Sequence, residues 1–144
     1  MIEQDTIRLL RECDAGIKMG ISSVEEVVDK AKSQRFRQCL ADYRKDHEKL
    51  EAQMQELLDQ YHDDGKEPPK MAQSMAWIKT NVKIAMEESD STIADLMIDG
   101  CNMGVKSLSK YLNQYEAADE KSKDIAKKLI KLEERMSVDM RSFL

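Results

Sequence analysis

The stretch GIKMGISSV, Gly16 to Val24, returns as GCNMGVKSL, Gly100 to Leu108. In both copies two glycines four residues apart enclose a methionine, and a serine and an aliphatic residue follow. The copies lie 84 residues apart. That distance is a whole number of heptads, so a helical register set by the first carries into the second. The chain has five glycines and places four of them here. A glycine inside a helix costs up to about 1 kcal/mol relative to alanine, so the pairs need a reason. Without side chains, they let a neighbouring element approach the helix closely. Gly16, Gly20, Gly100 and Gly104 are therefore expected at close packing between the two equivalent helices that carry them; a pocket held open for a ligand is the competing reading. The same spacing serves membrane helices, but this chain is too polar for that origin.

Apolar spacing around the repeat supplies the rest of the fold. Ile7, Leu10, Asp14, Ile17, Ile21, Val24, Val28 and Ala31 alternate at three and four residues, a helical seam that is apolar except at Asp14. Beyond Ala31 the same register meets polar residues, and a new one begins: Phe36, Leu40, Tyr43, His47, Leu50, Met54, Leu57, Tyr61. The jump of phase marks a turn near residues 32–35, with Ser33 available as N-cap. The run YHDDGKEPPK, with Gly65, Pro68 and Pro69, is the one unambiguous loop. A shorter helix follows with Met71, Met75, Ile78, Val82 and Met86 on one face, and Ser89, Asp90 and Ser91 suit the N-terminus of the next. The seam then repeats as Ala94, Ile98, Cys101, Val105, Leu108, Leu112 and Tyr115. YEAADEKSKD is a weaker turn signal, because the register does not jump there, and an unbroken helix stays open as an alternative. Ile125, Leu129, Leu132, Met136, Met140 and Phe143 form the last stripe. A shift of 86 lays Tyr43 on Leu129, Leu50 on Met136, Met54 on Met140 and Leu57 on Phe143.

The expectation is a single all-α domain over residues 1–144: a helical hairpin at 5–61, a crossover with a short helix at 62–89, and a second hairpin at 90–143. A lone hairpin cannot bury a wide apolar stripe, whereas two stacked hairpins make a four-helix bundle. Trp77 and Ile84, seven apart, lie off the stripe of the crossover helix. Leaving them wet costs about 25 cal/mol per Å2 of apolar area. Either another part of the chain covers them or a second copy does, and the second is preferred: a homodimer through this helix.

The charge balance, 23 Lys plus Arg against 28 Asp plus Glu, gives a net charge of −5 and shows no basic cluster. Nucleic acid and anionic membranes are not the partners this favours. Cys13, Cys39 and Cys101 are odd in number and unpaired by spacing, which suits reduced thiols of a cytoplasmic protein. The N-terminus lacks the basic and apolar regions of a signal peptide, and no apolar run approaches the ~18 residues of a membrane span.

Two repeated hairpins joined by a long crossover resemble the ferritin-like fold. The chain length, the short helix after GKEPPK and the opening CDAGIKMGI resemble an uncharacterised bacterial ferritin-like family. The resemblance implies a test. Di-iron members carry a Glu on the first bundle helix and Glu-x-x-His on the second, and repeat that set on the other hairpin. Here the second helix reads Arg44-Lys45-Asp46-His47, keeping the histidine and losing the Glu. The last reads Glu133-Glu134-Arg135-Met136, keeping the Glu and losing the histidine. Asp14 stands on the first helix, and its counterpart Ile98 cannot ligate.

His47 is the singular residue of the second stripe. A buried imidazole needs partners, and Glu133 occupies the matching place on the last helix. A structural His–carboxylate or His–Tyr hydrogen bond is the simpler reading; a weak mononuclear metal site from His47, Glu133 and Asp14 is the other. Asp14 also has Lys18 one turn on. No nucleophile or oxyanion donor converges with His47, so no enzyme is expected. His62 with Asp63 and Asp64 reads as a solvated loop, and the methionines as core filler. The functional expectation is a non-enzymatic structural or interaction protein without a di-iron site or bound cofactor. The alternatives are a metal-binding or stress-related ferritin-like protein and a helical adaptor.

Overall fold

Each apolar stripe becomes one face of a long helix. The computed structural model describes residues 2–65 and 89–144. Over these, α1 spans Ile2–Val27, α2 Gln34–Gln60, α3 Ser89–Gln114 and α4 Glu120–Met140, with single 3-10 turns at Val28–Lys30 and Arg141–Phe143. The fold is an all-helical, four-helix bundle over the described residues. The expected crossover helix, with Met71, Met75, Ile78, Val82, Met86, Trp77 and Ile84, lies outside them, and so does the dimer surface placed there.

The helix ends have local causes. Ser33 caps α2, its hydroxyl accepting from the Phe36 amide at 3.3 Å. Asp119 caps α4, accepting from the Ser122 amide at 2.8 Å. The turn between α3 and α4 is therefore real: the cap residue, not a register jump, sets it. Each satisfies an amide that the first helical turn leaves open. After α2 the chain turns through His62, φ 53°, and Gly65, φ 80°. Arg11 of α1 grips Asp63 there with two bonds, at 2.6 and 3.1 Å.

The two hairpins then tie each other's turns. Asp90, at the start of α3, accepts from the amides of Lys32 and Ser33 at 2.7 and 2.9 Å. At the other end of the bundle Thr6 of α1 accepts from the amide of Asp119 at 2.8 Å, and Asp5 from that of Ala117 at 3.2 Å. Thr6 and Asp90 are 84 residues apart, and Ser33 and Asp119 are 86 apart. The same positions make the same contact in both directions. These contacts fix chain direction as well. Helix α3 starts beside the α1–α2 turn, while α2 ends beside Asp119, which the Tyr61 hydroxyl reaches at 2.9 Å. So α1 and α3 are antiparallel, α2 and α4 are antiparallel, and α2 and α3 run the same way. The chain leaves α2 at one end of the bundle and enters α3 at the other.

The core follows the predicted registers, with shifts at the edges. Phe36, Leu40, Tyr43, His47, Leu50 and Met54 are all buried, but Leu58 takes the innermost place expected of Leu57. On α1 the centre moves by one or two positions: Thr6 and Leu9 are sealed and Ile7 is only half-buried. Leu9 and Ile93, Leu10 and Ala94, Cys13 and Met97, Ile17 and Cys101, Val24 and Leu108 are buried pairs 84 residues apart.

Candidate functional site

Helices α2 and α4 cross antiparallel, so residue numbers fall on one as they rise on the other. Phe36 stacks on Phe143 at 4.4 Å between ring centres. Arg135 reaches Asp46 at 2.8 Å, and Lys128 reaches Gln53 at 3.3 Å. At the middle of this crossing His47 meets Glu133, with Nε2 3.7 Å from Oε1. His47 is 1% exposed and Glu133 8%. Glu133 lies 86 residues after His47. The imidazole thus faces the residue that the 86-residue shift of the sequence lays on it.

Glycines make the room for this pair. A Cβ added to Gly20 would stand 2.6 Å from Cδ2 and Nε2 of His47, and one added to Gly104 would stand 2.5 Å from Oε2 of Glu133. Both distances are shorter than a real contact allows, so each glycine vacates the volume that its own hairpin's polar side chain fills. The other two glycines differ. A Cβ on Gly16 would meet Leu129 Cδ2 at an ordinary 3.5 Å, and one on Gly100 would meet nothing within 4 Å among the described residues. Gly100 is exposed. Gly20 and Gly104 thus make room for a side chain of the neighbouring helix of their own hairpin, and among the described residues none of the four glycines is met by the equivalent helix that the sequence suggested.

The protonation of the pair is constrained. His47 Nδ1 lies 2.7 Å from the carbonyl oxygen of Tyr43, one helical turn back. A carbonyl only accepts, so Nδ1 carries a hydrogen and donates it. Nε2 is buried and makes no hydrogen bond. Burial pushes the Glu133 carboxyl above its ordinary range, opposed in part by His47. From α3 the Cys101 thiol is the next group. Its pKa is raised by burial first and by Glu133 second. Cys13 is pushed up to about 12, mainly by burial, so neither buried thiol has the thiolate character that nucleophilic chemistry uses.

Asp14 does not join the pair. It is fully buried, pairs with Lys18 at 3.0 Å and lies against Gly65, where a Cβ would approach its Oδ2 to 2.3 Å. No group of three or more His, Cys, Asp or Glu side chains gathers to hold an ion among the described residues. Structural zinc takes four ligands and catalytic zinc three from the protein. His47 and Glu133 supply two, so the donor set does not fit the mononuclear site that the sequence left open. The cation expected beside His47 is also elsewhere: Arg44 turns outward to Glu25 at 3.1 Å and Glu48 at 3.0 Å. Met136, in the place of the second histidine, is core. His62 is exposed, and its neighbour Asp63 is committed to Arg11.

A second polar group was not foreseen. The Tyr43 hydroxyl donates to Asp139 of α4, and the Arg135 guanidinium lies 5.4 Å over the Tyr43 ring. These side chains, with Arg35, Cys39, Asp42 and Asp46, border an open groove of about 400 Å3 between α2 and α4. Tyr43 stands one turn before His47, but Asp139 becomes its partner only once the crossing point of the two helices is known.

No protein-family model, curated protein or solved structure matches this chain. None of the described helices is long and apolar enough to cross a membrane.

Proposed function

We propose that the chain is a ferritin-like bundle of two repeated hairpins that acts as a non-enzymatic structural or interaction protein and carries no di-iron centre. The helix directions support the fold: hairpins whose second and third helices run parallel need a connection along the whole bundle. The reciprocal ties of Asp90 to Ser33 and of Thr6 to Asp119 support the repeat.

One observation carries the functional reading. At the crossing where the resemblance would seat metal ligands from several helices, an imidazole faces a carboxyl, and glycines on α1 and α3 stand where further ligands would project. Bundle di-metal sites need a carboxylate from each of two helices plus a Glu-x-x-His from each of the others. Here Gly20 and Gly104 contribute no side chain, and the space they leave is filled by His47 and Glu133. The non-enzymatic reading is supported by the thiol beside the pair, which burial holds protonated.

Elemental analysis of freshly purified protein tests this. The expected result is well under one iron per chain, with no oxidation of added ferrous iron. Two irons per chain would overturn the proposal. One tightly held transition metal, lost in His47→Ala, would replace it with the metal-binding reading.

A further inference from the structure

The His47–Glu133 pair bridges the hairpins at their crossing, and its hydrogen count is unusual. Nδ1 donates to the Tyr43 carbonyl, so one ring nitrogen is settled. The other, Nε2, is buried, makes no hydrogen bond and faces Oε1 at 3.7 Å. With no proton between them, an imidazole lone pair confronts a carboxylate lone pair in a nearly dry site, and the charge of Glu133 has no buried counter-charge. With one proton the pair is neutral whichever atom holds it, and a slight closing of the 3.7 Å gap makes the bond, O–H donating to Nε2 or N–H donating to the carboxylate. With two, a buried imidazolium faces a neutral acid and a net charge returns. Burying an uncompensated charge is costly, so the one-proton state is the one this geometry suits.

We propose that His47 and Glu133 act as a one-proton latch that holds the two hairpins together and loosens the α2–α4 crossing when the proton leaves. The groups facing the pair leave little else to neutralise it. From α1 comes Gly20, and from α3 come Gly104 and the Cys101 thiol. On α2 the Tyr43 carbonyl holds the far ring nitrogen, the Tyr43 hydroxyl is committed to Asp139, and Glu51, one turn beyond His47, is the next acid. Among the described residues no other charge than that of His47 acts on Glu133. The sign follows from burial. A carboxyl whose folded pKa lies above its unfolded value binds extra proton in the folded state. Its contribution to stability is complete below the ordinary carboxylate range and is lost as pH rises through the folded value.

The experiment is urea unfolding of the full chain from pH 5 to pH 9, for wild type, Glu133→Gln and Glu51→Gln. The glutamine at 133 can donate to Nε2 at every pH, so it supplies a fixed donor in place of the shared proton and removes the titration of the carboxyl. The wild-type folding equilibrium should fall by up to about tenfold per pH unit relative to Glu133→Gln between the ordinary carboxylate range and the pH at which the folded pair loses its proton, and level off above it. Glu51→Gln should keep the wild-type slope. Equal slopes in wild type and Glu133→Gln would overturn the latch. A second measurement needs no variant. The chain has two histidines, so the side-chain nitrogen resonances of His47 and exposed His62 can be followed together with the Glu133 carboxyl carbon. A shared proton makes His47 and Glu133 shift together at one pH distinct from that of His62. Independent titration, with Glu133 in the ordinary carboxylate range, would also overturn the proposal.

Discussion

The first hairpin spends its second glycine on an imidazole, and the second hairpin spends its own on a carboxyl. Around these positions the two are built alike: a polar side chain at matching places caps the helix, and a polar side chain from the other hairpin holds the turn. They differ where they touch at the centre. A symmetric pair sharing one proton would carry a net charge, positive for two imidazoles and negative for two carboxyls, which a buried site penalises. The unlike pair carries none. The unlike residues at the two matching positions are complementary, while the glycines keep the volume for both.

Alanine at the four glycines separates the two halves of this comparison, and gives the largest effect. Gly20→Ala drives a methyl into a ring that is buried and held by the Tyr43 carbonyl. Overpacking of this kind costs about 1–3 kcal/mol, and a ring without freedom to turn belongs at the upper end. Gly104→Ala meets the tip of a longer, more pliable side chain and should cost about 1 kcal/mol. Chemical denaturation checks both. Equal costs at the two positions would mean that Glu133 is as rigidly held as His47.

The turn ties come next. Asp90→Ala strips two backbone amides of a charged acceptor. Hydrogen bonds to charged groups contribute about 1.5–3 kcal/mol each, but these amides sit near solvent, so about 2 kcal/mol in all is expected. Thr6→Val strips one amide of a neutral acceptor and should cost about 1 kcal/mol. If Thr6→Val costs more than Asp90→Ala, the two turns are not held by equivalent devices, and the repeat loses its main structural support.

Much of this was legible in the sequence, and the omissions have physical reasons. The seam of α2 was readable because an apolar stripe constrains every third or fourth residue, and Phe36 to Met54 follow it without exception. The facing of His47 and Glu133 was readable from the shift between the two second helices. Asp14 misled, since a seam position specifies burial but not the partner; Lys18 and the Gly65 loop claim it. The glycine motif told of missing side chains but not of what fills the space, which depends on where a neighbouring helix points its own. For that reason Gly100 carries the motif without the contact. The α3–α4 turn was obscure because a cap acts through one hydrogen bond and leaves the apolar phase undisturbed.

Gly100→Ala sharpens the comparison from the opposite side. Its added methyl meets nothing within 4 Å among the described residues, and the helix gains the propensity of alanine. A stabilisation of up to about 1 kcal/mol is expected. A loss of stability there would show that something covers this face of α3.

The smallest effect belongs to a feature that only the first hairpin has. Arg11 grips Asp63 with both guanidinium and carboxylate forks, whereas position 95, the counterpart of Arg11, is an aspartate. The hydrogen bond from Arg11 holds the Asp63 carboxyl below its ordinary range, against the opposing effect of burial. A carboxylate with a depressed folded pKa stabilises the protein above its unfolded pKa, and the contribution fades as pH falls through the folded value. Arg11 is, however, 47% exposed, so solvent and salt screen the pair. Under about 1 kcal/mol is expected at neutral pH. Arg11→Gln should therefore lower stability slightly at pH 7, and the difference should shrink as pH falls through the range in which folded Asp63 gains its proton. Raising the salt should shrink the difference at pH 7. An effect that survives both acid and salt would reassign Arg11 from charge to packing, its aliphatic stem covering the end of α2 while its head stays wet.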